Sequence, residues 1–248
     1  MRFDAAKEHF AILSTSEPWG EAFKVLGVLF DTKLQMGCAV RECVHEVGWK
    51  LRTLLRTRRY HSVIELVLLY KSHILSYVEY RTPGIYHAAT SILEPIDRIQ
   101  VRFLRDAGVS LLDALLEFNL APLESRRDIA MLGVIHRAIL RLGPDCFQQW
   151  FRPGVESWRS SRERRNTARP LAEILPIRSL DITRRSAFGL IFVYNMLPND
   201  IVLADSVANF QKGLSDLMKA QARCGHPSWS TLFSPRCAYI SHPLRHLS

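Results

Sequence analysis

From Val40 onward, apolar residues recur at three- and four-residue steps, and this spacing commits the middle of the chain to α-helix. Val40, Val44, Val47, Leu51, Leu54 and Leu55 form one apolar face, which must be buried against neighbours. Arg41, His45, Arg52 and Arg56 keep the same steps and make a basic stripe beside it. Arg58 and Arg59 extend the stripe at the C-terminal end, where cations also suit the helix dipole. The next helix is expected over about 62–80. It is apolar almost all round, as in the buried centre of a bundle, and Pro83-Gly84 is expected to end it. A third helix over 91–106 turns Ile92, Ile96, Ile99 and Phe103 inward and carries Arg98, Arg102 and Arg105 as a second basic stripe. A short apolar helix over 111–118 precedes a long one over 122–142. Pro122 starts the long one, Gly143-Pro144 follows it, and Ile129, Leu132, Ile135, Ile139 and Leu142 mark its buried side.

The flanks read differently. His9–Leu13 and Phe23–Phe30 are strand-like runs separated by the turn formers of 14–20, and together they predict a β-hairpin with a long turn. Residues 152–176 hold prolines and a basic run around Arg162, Arg164 and Arg165, the pattern of a solvated linker. Helices over 184–194 and 206–222 follow, then a loop-like tail from Cys224. The expected fold is mainly α, with a small N-terminal β-hairpin over 1–34, a helical bundle over 35–151, a basic linker over 152–177 and a small helical C-terminal region over 178–248.

Charge narrows the partners. The chain of 248 residues carries a net charge of +9, most of the excess being arginine, whose fork fits phosphate oxygens. Nucleic acid is the first candidate partner and an anionic membrane surface the second. No membrane span is expected, because Glu65, Lys71, His73 and Glu79 interrupt the most apolar stretch. Five widely spaced cysteines argue against a disulfide framework and for a reducing, intracellular compartment, cytoplasmic or nuclear.

Several segments, taken in order, are similar to a known family. Phe23-Lys24-Val25-Leu26-Gly27-Val28-Leu29-Phe30-Asp31 resembles the primer-grip segment of non-LTR retrotransposon reverse transcriptases. Tyr70-Lys71 with Glu79-Tyr80 resembles a helix of that family's thumb, and Leu93 to Arg105 resembles the helix after it, with its arginine, glutamine and Phe-Leu. Pro122-Leu123-Glu124-Ser125-Arg126-Arg127, then Val193-Tyr194-Asn195-Met196-Leu197-Pro198 and Phe210, resemble later segments. The resemblance implies that 1–34 is the end of a polymerase palm and 35–151 is thumb-like. It implies that Lys24 and Gly27 lie at the nucleic acid, with Lys7 near the incoming nucleotide. It also implies that the partner is primer–template or RNA–DNA hybrid.

The departure from the family is equally specific. No two aspartates are adjacent anywhere in the chain. In the family those carboxylates hold the Mg²⁺ ions of the reaction. The expectation is a C-terminal fragment that needs no cofactor of its own and performs no polymerase chemistry alone, Mg²⁺ belonging to the parent polymerase. A catalytically dead interaction module, or a basic face lying on a membrane surface, are the rival readings.

The nucleic-acid candidates are therefore Lys24, Gly27, Arg41, His45, Arg52, Arg56, Arg58, Arg59, Arg98, Arg102 and Arg105. Cys224, His226, Cys237 and His242 have the residue types of a zinc site, but Cys224-Gly225-His226 is tighter than the usual ligand spacing, so no metal is expected. His136 is expected to be structural and Asp31 to cap a turn. Nucleophile-elbow, Walker and His-Glu-x-x-His patterns are absent.

Overall fold

The structure, a computed structural model, describes residues 22–154, 166–172, 181–237 and 241–246. It is mainly helical with an antiparallel two-stranded hairpin at its N-terminal end. The hairpin is not placed as the sequence predicts. The run Phe23–Phe30 itself folds back, as β1 (Ala22–Val25) and β2 (Val28–Asp31), with Val25 opposite Val28. Leu26 and Gly27 both have positive φ, 48° and 77°, the requirement of a tight two-residue loop whose twist matches the strands. The expected partner run, His9–Leu13, lies outside the described residues.

The hairpin rests on the helices through Val28. Gly84 makes that approach possible, because a Cβ there would lie 3.1 Å from Val28 Cγ1 and 3.4 Å from Phe30 Cζ. Asp31 closes the hairpin as a cap. Its Oδ1 accepts from the backbone N–H groups of Lys33 and Gln35, and its Oδ2 from that of Met36 at 2.6 Å. Slight burial works against ionisation, but these donors hold the carboxyl below the ordinary aspartate range.

Helix α1 (Gly37–Arg56) buries Ala39, Val40, Cys43, Val47 and Leu51, with Val44, Leu54 and Leu55 half-buried at the margins. Next come α2 (Val63–Tyr70), a π-helical segment (Lys71–Leu75) and α3 (Ser76–Ile85), which run on without a gap. Ser62 starts α2 with a capping box: its hydroxyl accepts from Glu65 N–H, and Glu65 Oε2 accepts from Ser62 N–H at 2.7 Å. Two expectations change here. Pro83 does not end the helix, which reaches Ile85. Pro83 lies in the last turn, where it costs the helix only the one bond its missing N–H would have made, and Ile85 and Tyr86 beyond it are fully buried. Nor is this helix buried all round. Leu66, Val67, Tyr70, Ile74 and Val78 face the core, while Ile64 is 63% and Leu68 59% exposed.

Helix α4 (Thr90–Ala107) packs along α1 and stops at Gly108, which takes the left-handed φ of 71° typical of a helix end. Its Phe103 ring stacks on Tyr70 with centroids 4.2 Å apart. After the short α5 (Leu111–Leu116), α6 (Leu123–Ile139) runs between two hydrophobic cores. The helix stops short of Leu142, which is exposed rather than buried, and Arg141 has a φ of 56°. One core holds the hairpin and α1 to α4. The other packs α6 residues from Ile129 to Ala138 against the C-terminal part of the chain. There α7 (Asp145–Trp150) is followed by α8 (Asp181–Arg185), α9 (Leu190–Met196), α10 (Asn199–Val202) and α11 (Val207–Arg223). The single helix expected over 184–194 is broken at Ser186, which caps a short 3₁₀ turn, Ala187–Gly189.

The expected solvated linker is packed at the parts described, and the loop-like tail is packed as well. The basic run of 157–165 lies outside the described residues, but both flanks of it are tied down. Asn166 and Leu171 are buried, Pro153 pairs with Leu171, and Asn195 on α9 brackets Leu171 by accepting from its N–H (2.8 Å) and donating to its carbonyl (3.0 Å). The amide of Asn195 acts as a backbone-like partner, which satisfies a buried chain segment without a strand. In the tail, Leu232, Phe233 and Leu244 complete the second core, with short 3₁₀ turns at Trp229–Thr231 and Pro243–His246. No helix among the described residues is long and apolar enough to cross a membrane.

Candidate nucleic-acid interface

The burial of Val40, Cys43, Val47 and Leu51 sets the roll of α1 about its axis. Arg41, His45, Arg52 and Arg56 then lie on the opposite side, and all four are exposed. Arg58 and Arg59 continue the basic surface in the 3₁₀ turn Arg58–Tyr60, also exposed. Among the described residues none of these arginines has a carboxylate within 4 Å, and the contacts they make are local. Arg41 Nη2 donates to Cys38 Sγ at 3.0 Å, Arg52 Nε donates to the Gly48 carbonyl at 3.3 Å, and Arg59 lies 5.4 Å over the Tyr60 ring. Their charge is left to solvent.

The second stripe differs. Arg98 pairs with Glu94 at 2.7 Å, while Arg102 and Arg105 share Asp106 at 3.8 and 3.3 Å. These are exposed pairs of small energetic worth, but the two carboxylates offset most of the charge of the three arginines that a phosphate would meet. Lys24 is also engaged, 2.9 Å from Glu42 on α1. Gly27 sits in the hairpin loop with open space around it. The eleven nucleic-acid candidates therefore do not converge on one face: the free cations belong to α1 and the turn after it. Lys7 lies outside the described residues.

Periodicity alone missed two aromatics on this surface. Trp49 is 59% exposed on α1 and Tyr60 is 74% exposed just beyond it. The signal was present, since Trp49 falls out of step with the apolar face and within three or four residues of His45 and Arg52.

The segments that carry the family resemblance interlock with one another. Tyr80 Oη donates to the Leu26 carbonyl at 2.9 Å, joining α3 to the hairpin loop. Glu79 takes Arg126, and Asp97 takes both Nη groups of Arg127 at 2.7 and 2.8 Å. Gln100 donates to the Ala121 carbonyl at 3.0 Å. His136 on α6, fully buried, stacks on Phe210 with centroids 4.1 Å apart. Its Nε2 faces the Ala204 carbonyl, which only accepts, so Nε2 carries the proton and Nδ1 accepts from Tyr194 Oη at 3.0 Å. Burial lowers its basicity and keeps it neutral, a structural histidine. These side chains hold the helices to each other.

Beside the hairpin, Asp31 is occupied by backbone donors and Glu42 by Lys24. Among the described residues no three His, Cys, Asp or Glu side chains are placed to hold a metal. Of the zinc candidates, Cys224 is exposed, whereas His242 is buried with Nε2 at 3.1 Å from the Ser234 carbonyl and Nδ1 accepting from Leu244 N–H. Burial pushes His242 down to about 4.

A separate apolar groove of about 710 Å³ opens between the hairpin and α3, lined by Val25, Leu26, Val28, Phe30, Tyr80 and Pro83 among others. Comparison with protein-family models, with curated proteins and with solved structures returns no match for this chain.

Proposed function

We propose that this chain is a nucleic-acid-binding C-terminal segment of a retrotransposon-type RNA-directed DNA polymerase, gripping primer–template or RNA–DNA hybrid without performing the chemistry. The observation that carries the reading is the outward face of α1 and the turn after it, where Arg41, Arg52, Arg56, Arg58 and Arg59 stand, among the described residues, without carboxylate partners in a chain of net charge +9. Cations spaced along a helix suit a phosphate strand, which they bind by releasing its counterions. The ordered family-like segments supply the polymerase context. Mg²⁺ would come with catalytic aspartates elsewhere in the parent enzyme.

Binding of a labelled RNA–DNA hybrid should weaken steeply between 50 and 200 mM salt. Replacing Arg52, Arg56 and Arg58 together by alanine should lower the log–log salt slope by about 2 to 3 and weaken low-salt affinity roughly tenfold or more. Fluorescence anisotropy over a salt series measures both, and a salt-indifferent binding constant sinks the proposal. A second reading, a self-associating interaction module, rests on the exposed Ile64 and Leu68 one turn apart on α2. Size-exclusion chromatography showing a stable oligomer with no affinity for hybrid would favour it.

A further inference from the structure

Resting on that reading, we infer that the outward face of α1 also takes a single-stranded stretch of nucleic acid adjoining the hybrid, with the indole of Trp49 as the platform on which an unpaired base stacks. A cation stripe alone does not distinguish single strand from duplex, since both present phosphates. Trp49 does distinguish them. It lies on the solvent side of α1, 59% exposed, so that most of a large apolar ring is left in water. Against a duplex it would meet the backbone and the base edges in the grooves, because the base faces are already stacked on each other. Against a single strand it meets an open base face.

The surroundings fit such a strand. His45 lies four residues before Trp49 and Arg52 three after, so both adjoin it on the helix surface, and Arg56 is one turn further. The Arg52 Nε bond to the Gly48 carbonyl, 3.3 Å, folds that side chain back along the turn carrying Trp49. A phosphate next to the stacked base would thus find a cation beside it. Glu42 and Glu46 lie on the other flank, and they bias the backbone toward the arginine side. Beyond the end of α1, Tyr60 offers a second ring, 74% exposed, with the Arg59 guanidinium 5.4 Å from its centroid. Alternating rings and cations are what sequence-tolerant single-strand binding needs.

The full chain, Trp49→Ala, Trp49→Phe and Arg52→Ala/Arg56→Ala would be titrated into fluorescein-labelled oligothymidylate of about 12 nucleotides and into an RNA–DNA hybrid of the same length. Circular dichroism would establish that each variant is folded. Trp49→Ala is expected to weaken the single strand about ten- to a hundredfold and the hybrid less than about threefold, with Trp49→Phe retaining most of the affinity. The double arginine variant should weaken both probes. Folded Trp49→Ala that binds oligothymidylate like the parent overturns the inference and leaves the hybrid-binding reading standing. Failure of the parent chain to bind either probe overturns both.

Discussion

Asp97→Ala should cost about 4 kcal/mol of stability, more than replacing its partner Arg127 by methionine. The pair joins α4 to α6 with two parallel bonds, Nη1 to Oδ1 at 2.7 Å and Nη2 to Oδ2 at 2.8 Å. The two ends are unequally buried: the Arg127 side chain is 4% exposed and Asp97 is 31% exposed. Burial alone would disfavour the guanidinium, and the bonds and charge of Asp97 overcome that and keep it firmly protonated. Removing Asp97 therefore strands a cation where water cannot reach it. Removing Arg127 leaves a carboxylate that water can solvate. Arg127→Met, which fills much of the space without the charge, should cost only about 1 to 2 kcal/mol. Urea unfolding of the two variants measures the order. Equal costs, or the reverse order, would mean that the pair acts through packing and not through charge.

This asymmetry explains why the resemblance and the interface separate. Asp97, Gln100, Arg126 and Arg127, which carry the resemblance, make specific bonds that are buried or partly buried. They report how the helices are fastened. The cations of α1 belong to no distinctive pattern, because a solvated stripe tolerates shifts in position.

The helical bundle was legible because apolar period and burial are the same fact seen twice: Val40, Val47, Leu51, Ile96, Phe103, Leu132 and Ile135 all face a core as their spacing requires. The hairpin loop was not, since a two-residue reversal at Leu26-Gly27 leaves the apolar run unbroken, and only the glycine marked it. The tie between residues 166–172 and α9 was hidden because asparagine side chains do what strands normally do, with no periodicity to reveal it. Neutralisation of the α4 stripe was readable, as Glu94 precedes Arg98 by four residues and Asp106 follows Arg102 by four. The free charge of α1 required the structure, because Glu42 and Glu46 are equally close in sequence, yet Glu42 turns to Lys24 instead.

Asp128 should make the protein less stable as pH rises from about 4 to about 7, the opposite of what a salt-bridged surface aspartate does. It lies on α6 at the junction of the two cores and is 1% exposed. Tyr86 donates to its Oδ1 at 2.6 Å, Arg236 of the tail approaches to only 3.9 Å, and Oδ2 has no hydrogen-bond partner. Burial dominates and pushes the carboxyl from 3.8 up to about 7, against the Tyr86 bond and the Arg236 charge, which lower it. In the unfolded chain the proton leaves near pH 4, whereas in the folded chain it stays until about 7. The stabilisation from the folded chain's tighter hold on this proton is therefore complete below pH 4 and lost by about pH 7, on the order of 4 kcal/mol across the window. Asp128→Asn keeps the acceptor for Tyr86 and has no proton to lose. The stability of the variant relative to the parent, from urea unfolding at pH 5, 6, 7 and 8, should rise with pH while all other titrating groups cancel. Arg236 gives the same profile a second handle. Its Nη2 donates to the carbonyls of Tyr86 at 2.6 Å and Ala88 at 3.4 Å, so Arg236→Gln removes the cation that favours ionised Asp128. The window should then extend to higher pH. Parallel profiles for the parent and Asp128→Asn would show that Asp128 is ionised throughout and that water reaches the junction between the tail and α6.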